Sequence, residues 1–180
     1  MRSMTVPKDM PAPRVDISQI PMEAHERYMR LAIEEGLRNP MWPFGAVIVD
    51  PANGRPVATG ANEATDNPIF HGEIVALNNF VRAHGADSRK NEIGNIEMSD
   101  KVLYSTAEPC PMCMSALIWA GIGGVVFGIG IHRLRELGMD QIMIEASQIC
   151  AHAAFYDGKV LGGVLADDTD DLFAHRPTGI

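Results

Sequence analysis

One apolar segment restricts the fold of this chain more than any other feature. Residues 44–49 read Phe-Gly-Ala-Val-Ile-Val without a polar side chain, and Pro43 and the Asp50-Pro51 pair bound them. A continuous apolar run of this length, flanked by turn residues, is typical of a strand that is buried on both faces of a sheet. The sequence therefore predicts a sheet with covering layers on both sides.

Further strands and helices are predicted to alternate along the chain. Besides residues 44–49, strands are expected at residues 56–60, 101–105, 125–129 and 159–165. Helices are expected at residues 21–38, 73–84, 109–120 and 146–155, with shorter helical turns at 132–138 and 168–174. Pro109 is expected to start the third helix, at the position that proline tolerates best. This alternation predicts an α/β fold, a three-layer α/β/α sandwich around a mixed, mainly parallel five-stranded sheet.

Length and charge limit the domain number and the class of partner. The 180 residues fit one domain at residues 21–180, preceded by an irregular N-terminal arm at residues 1–20 that has no apolar run. The formal net charge of −8 argues against nucleic-acid binding, because neutralising phosphates requires a basic surface. The apolar residues 114–131 are interrupted by glycines, so we expect a helix, a turn and a strand there. A small-molecule substrate is expected, and no membrane.

The cysteines indicate a reducing compartment. The chain has three, of which Cys110 and Cys113 are only three residues apart, and an odd count is a poor disulfide framework. Cys150 is predicted to be a buried, small apolar side chain. We therefore expect a cytoplasmic protein with free thiols.

Two short motifs, each at the start of a predicted helix, offer a set of metal ligands. They are His71-Gly72-Glu73 and Pro109-Cys110-Pro111-Met112-Cys113. One imidazole and two thiolates suit Zn²⁺ in tetrahedral geometry, and three protein ligands leave a fourth position for chemistry. The two cysteines share one helix face, and the helix N-terminus favours their thiolate forms. The motifs predict a catalytic zinc site.

Glu73 is the candidate general acid and base. It lies two residues from His71, near the metal but poorly placed to bind it as well. A carboxylate in this position can carry a proton from water to a ring nitrogen and then to a leaving amine. Such proton transfer contributes typically ~10² to 10⁴-fold to a rate.

In this order, the motifs resemble those of the cytidine/deoxycytidylate deaminase superfamily, whose zinc nucleobase deaminases carry His-x-Glu and then Pro-Cys-x-x-Cys. The resemblance extends over residues 24–174 and includes residues 43–49 and Gly60-Ala61-Asn62. It implies a cytidine deaminase-like fold and a zinc-dependent hydrolytic deaminase of a small nucleobase or nucleoside. It also implies a homodimer.

The resemblance further implies a substrate-binding set of four residues. Asn62 corresponds to an asparagine that binds the substrate in relatives, and Phe44 is either core or a face for base stacking. Trp119 is either core or, as in guanine deaminases, part of the base pocket. Gly72, which lies between His71 and Glu73, resembles the glycine found at this place in fungal cytosine deaminases.

The natural substrate remains open among several readings of the sequence. Residues 43–45 and 108–113, followed by Trp119, resemble guanine deaminases, so guanine is favoured. That family typically has Gly-Phe-Asp-Asp where this chain has residues 138–141 with Gln141 last, and cytosine deaminase is the alternative. A tRNA adenosine deaminase is third, since residues 161–167 resemble that family. A non-catalytic zinc protein is a further alternative, although it would have no need of Glu73.

Overall fold

The apolar run forms an inner strand of the sheet. The computed structural model describes residues 14–85, 88, 90 and 96–177, and within these ranges five strands form one sheet in the order β2-β1-β3-β4-β5. The strands are β1 Gly45–Asp50, β2 Arg55–Ala61, β3 Val102–Ala107, β4 Gly124–Ile129 and β5 Lys159–Leu161. β1 is antiparallel to β2 and β3, whereas β3, β4 and β5 are parallel. The predicted mixed sheet is confirmed, with β1 opposed to the other four strands.

Helices cover both faces of this sheet. They are α1 Met22–Gly36, α2 Gly72–His84, α3 Pro111–Trp119, α4 Ile131–Glu136, α5 Ala146–Ala151 and α6 Ala166–Ala174. One face of the sheet packs against α2, α3 and α5, and the opposite face packs against α1. The layers therefore form the predicted α/β/α sandwich. Within the described ranges, no helix is both long and apolar enough to cross a membrane.

The alternation of side chains along β1 explains why the run contains no polar residue. Ala46 and Ile48 are fully buried in the cluster that includes α2 and α3. Val47 and Val49 are equally buried in the cluster beneath α1. Because successive side chains of a strand point to opposite faces, a strand between two helical layers must be apolar at every position.

The start of α3 differs from the prediction. The helix begins at Pro111, which occupies its first turn, and not at Pro109. Cys110 has extended backbone angles and is the N-cap residue. Both prolines lack a backbone N–H, so either could begin a helix, and the sequence pattern did not distinguish them.

Two other elements are shorter than predicted. The helix expected at residues 146–155 ends at Ala151, and the strand expected at residues 159–165 ends at Leu161. Gly163 follows with a φ of 83°, a left-handed conformation that interrupts a strand. In the predicted N-terminal arm, residues 1–13 lie outside the described residues, and Ile17–Gln19 forms a short 3-10 helix that buries Ile17.

Candidate functional site

Two helix starts bring the three predicted metal ligands together. His71 is the N-cap residue of α2, Cys110 is the N-cap residue of α3, and Cys113 lies within the first turn of α3. The Nδ1 atom of His71 is 3.6 Å from each of the two sulfur atoms. The three possible ligand atoms all lie within 4.8 Å of one another. We call these residues, with the adjacent Glu73, the metal corner.

Close backbone packing fixes the start of α2. A Cβ atom on Gly72 would lie 2.5 Å from the carbonyl oxygen of Phe44, and one on Gly60 would collide with the backbone of Ala76. Both positions therefore need glycine for the helix to approach β1 and β2 this closely. Gly72 is buried beneath Phe44 and does not line the adjacent cavity. Its position explains the glycine by packing rather than by contact with a substrate.

The thiol and imidazole groups of the metal corner perturb one another. The hydrogen bond from the Cys113 thiol outweighs burial and, together with that from His71, lowers the pKa of Cys110 to about 4. The same thiol–thiolate bond, burial and the charge of Glu73 raise the pKa of Cys113. The hydrogen bond to Cys110 raises the pKa of His71 against the effect of burial. Zinc requires deprotonated ligands, so binding here would release protons.

Glu73 lies in the buried part of the metal corner. Only 4% of its surface is exposed, and the hydroxyl group of Ser105 on β3 donates to its Oε1 atom at 3.3 Å. Burial, and then the negative charge of Cys110, raises the pKa of Glu73. A carboxyl group with a raised pKa is suited to accept a proton and then to give it up.

The donor set of the metal corner fits zinc. One imidazole nitrogen and two sulfurs are the ligands that Zn²⁺ takes in tetrahedral sites, and with three of them a fourth position stays open. His71 and Cys110, as well as Glu73, line a cavity of about 660 Å³, whereas Cys113 is fully buried behind them. An open position would therefore face a space that can hold a small heterocycle.

Two aromatic residues and Asn62 are among the residues that line this cavity. The Phe44 ring lines the cavity and packs on Phe173, with ring centroids 4.8 Å apart, and Trp42 lies beside it. The Oδ1 atom of Asn62 accepts from the backbone N–H of Ala64 at 3.1 Å. Its side-chain NH₂ group makes no hydrogen bond to any described residue and is free to donate. Phe44 and Asn62 thus line the cavity beside the metal corner, and their contact with a substrate stays a prediction.

Residues 138–142, between α4 and α5, also line the cavity, and we call this segment the outer wall. The Gln141 side chain makes no hydrogen bond within the described part of the chain. Asp140 is bonded to Arg135 at 3.2 Å and is exposed. Neither the outer wall nor Trp42 was assigned to the site from the sequence, although Gln141 was singled out there as a departure from the Gly-Phe-Asp-Asp of guanine deaminases.

The structure does not bring Trp119 into the cavity. Trp119 is the last residue of α3 and is 75% exposed, with its ring 5.0 Å from that of Phe155. With this exposure Trp119 is not a core residue either, which was the other alternative predicted from the sequence. The reason is the direction of α3, whose N-terminal end carries the metal ligands, so that its C-terminal end lies away from them.

Comparisons with known proteins agree with this site. Residues 22–129 match the family described as the cytidine and deoxycytidylate deaminase zinc-binding region. The guanine deaminase of Bacillus subtilis (strain 168) is 32% identical over 67% of this chain and 74% of its own. A tRNA-specific adenosine deaminase of Haemophilus influenzae is 34% identical over 69% of each chain. The solved guanine deaminase of Nitrosomonas europaea is 20% identical, covers 96% of both chains with a TM-score of 0.66, and supports the fold.

Proposed function

The chain belongs to the cytidine and deoxycytidylate deaminase family, and from this premise we propose that it deaminates guanine to xanthine. Proteins of this family are zinc-dependent hydrolases that act on C–N bonds, and so is this one. The observation that carries the proposal is the metal corner itself. A buried carboxylate and three residues that could bind zinc lie together, and His71, Cys110 and Glu73 line one cavity.

The residues divide the chemistry between them. Held by His71, Cys110 and Cys113, zinc would supply a Lewis acid that makes water nucleophilic near neutral pH. Glu73 accepts a proton from the water that attacks the amino-bearing carbon, and gives it to the neighbouring ring nitrogen. It then moves the proton of the new hydroxyl group to the amino group. The C–N bond breaks, a carbonyl group forms, and ammonia leaves.

The cavity residues orient the base for this attack. The free NH₂ group of Asn62 donates to an acceptor on the ring, and the Phe44 ring offers a face for stacking. Gln141 reaches the base from the outer wall. These contacts hold the amino-bearing carbon near Glu73.

Guanine is favoured over the other bases because the chain is similar to a guanine deaminase, and cytosine is the second candidate. The similarity to a guanine deaminase supports a purine, and a cavity of about 660 Å³ has room for one. The observation in favour of cytosine is Gln141, since an amide offers one acceptor and one donor, whereas guanine presents adjacent N–H donors that suit a carboxylate. Relatives also include tRNA adenosine deaminases, but the net charge of −8 disfavours tRNA.

The proposal extends to assembly and compartment. We propose a homodimer, in which the exposed pair Trp119 and Phe155 at the end of the layer formed by α3 and α5 would become buried. Cys110 and Cys113 form no disulfide, and zinc-binding thiolates suit a reducing compartment such as the cytoplasm.

Ammonia release from the zinc-loaded protein tests the proposed function. The panel comprises guanine, cytosine, adenine, their nucleosides, and amino-triazines and pterins. Guanine is expected to give the largest kcat/KM. A preference for cytosine would replace guanine with the second candidate. Zinc bound to the chain with no ammonia from any compound would contradict the enzymatic role.

A further inference from the structure

A buried carboxylate links the metal corner to the outer wall. Glu108 follows β3 directly, lies two residues before Cys110, and is 8% exposed. Its backbone N–H donates to the carbonyl oxygen of Ile129 at 2.8 Å, which continues the pairing of β3 with β4. The sheet therefore fixes the backbone of Glu108 relative to the metal ligand that follows it.

Both carboxylate oxygens accept backbone hydrogen bonds from other helices. The N–H of Ile131 donates to Oε2 and the N–H of Ala146 donates to Oε1, each at 2.8 Å. These are the first residues of α4 and α5, where backbone N–H groups lack a partner within the helix. A single charged group thus caps two helix starts, with the short, charge-assisted bonds that orient such groups firmly. Neither hydrogen bond comes from α3, although α3 is the helix that follows Glu108 in sequence.

The segment between these two helix starts carries the outer wall. Residues 138–142 have no regular structure and are joined to α4 on one side and to α5 on the other. Met139 is buried against Phe173 and its neighbours, but Asp140 points to solvent and Ile142 is 62% exposed. The two bonds to Glu108 therefore fix both flanks of this segment, whose own anchors are the buried Met139 side chain, the backbone bonds of Gly138 and Met139 to α4, and the Asp140–Arg135 pair.

We propose that Glu108 is a positioning residue that sets the distance between the outer wall and the metal corner, and thereby the affinity for the substrate base. The inference rests on the proposed function, because it assigns the outer wall to substrate binding. Glu108 itself lines the cavity, but its two carboxylate oxygens accept the bonds from α4 and α5, and it makes no hydrogen bond to His71, Cys110 or Cys113. Its loss should leave the ligands in place while the wall shifts away from the base.

The variant Glu108→Gln tests this inference. Its carboxamide keeps the shape of the side chain but presents an NH₂ group to one of the two backbone N–H donors, so that one bond is lost. Loss of a bond of this kind predicts a KM raised about tenfold with kcat nearly unchanged. Zinc content should stay at the wild-type level. The matched control is Glu136→Gln, which removes the same charge from an exposed carboxylate on α4 that bonds Arg133, and should change neither constant.

Amide hydrogen exchange gives a second reading that needs no turnover. In Glu108→Gln, exchange should accelerate at Ile131 or Ala146 and also across residues 138–142. Faster exchange at the two helix starts with an unaltered outer wall and an unaltered KM would overturn the inference, since Glu108 would then be a helix cap only. Loss of zinc would overturn it too, because the residue would then serve the metal.

Two controls separate this inference from the proposed function. If the wild-type protein releases no ammonia from any base, the proposed function fails, and hydrogen exchange across residues 138–142 decides the positioning role alone. If the wild-type protein turns over but the variant has an unchanged KM, only the inference fails. Should Glu108→Gln not fold, Glu108→Asp keeps the charge on a side chain too short to reach both donors, and the same rise in KM is expected.

Discussion

The metal corner is built from two short motifs that can be recognised in the sequence, although 39 residues separate His71 from Cys110, whereas the outer wall contains no such motif. His71 and Cys110 each precede a helix, and Cys113 lies one helical turn after Cys110. The outer wall has no regular structure, and Glu108 holds its flanks across 23 and 38 residues of sequence. We expect the metal corner to determine whether deamination occurs, and the outer wall to determine which base is bound.

Removal of a metal ligand should have the largest effect. Cys110→Ala is expected to lose zinc and to lower ammonia release by more than ~100-fold. Removing a residue that only hydrogen-bonds a metal ligand already lowers metal affinity or activity by about 10–100-fold, and removing a ligand itself should cost more. Zinc content and ammonia release are measured on the same preparation. Cys150→Ala is the matched control, because this cysteine lies outside the cavity and should be dispensable for both. A Cys110→Ala protein with a full complement of zinc would contradict the ligand assignment.

Glu73→Gln should separate metal binding from proton transfer within the metal corner. The amide fills the same buried space beside Ser105 but cannot carry a proton. Zinc should be retained, and kcat should fall by ~10² to 10⁴-fold, the usual contribution of general acid–base catalysis. Single-turnover and steady-state ammonia release measure this loss. Substantial turnover with zinc bound would show that another group moves the protons.

Gln141→Ala should weaken binding of the base at the outer wall without affecting the metal corner. Removing one hydrogen bond to the base is expected to raise KM about 3–10-fold and to leave kcat and zinc content unchanged. The companion variant Gln141→Glu introduces two acceptors and should favour guanine, with its adjacent donors, over cytosine. Steady-state kinetics with both bases provide the comparison. A fall in kcat at constant KM would place Gln141 with the chemistry rather than with binding.

Trp119→Ala should have the smallest effect on the site. The side chain is mostly exposed against Phe155, outside the cavity, so KM for the base is expected to change by less than about twofold, within the range of ordinary surface substitutions. Sedimentation of the variant would show in parallel whether the exposed pair contributes to a dimer. A large rise in KM would mean that this tryptophan does reach a base, as the family resemblance implied.

The same contrast explains what could be predicted from the sequence. The ligands and Glu73 were identified because the spacing within each motif is local and because the two motifs together resemble those of zinc nucleobase deaminases. The strand at residues 44–49 was identified because a strand covered on both faces has no polar side chain. The strand prediction needed only neighbouring residues, whereas the metal site also needed the family resemblance, because His71 and Cys110 are 39 residues apart.

The outer wall could not be predicted in this way. Its residues include an exposed Ile142 and a buried Met139 without helical or strand periodicity. Its position depends on the bonds of Glu108, which the sequence analysis did not connect with residues 131 and 146. The direction of α3, which removes Trp119 from the cavity, is likewise a property of packing between layers and not of local sequence.

X-ray absorption at the zinc edge tests the central claim most directly, namely that one imidazole and two thiolates of the metal corner hold the metal and leave one position open. We predict two sulfur neighbours at about 2.3 Å, one nitrogen at about 2.0–2.1 Å, and one further light atom that changes when a base is added. A shell of four sulfurs, or a shell without sulfur, would contradict the account.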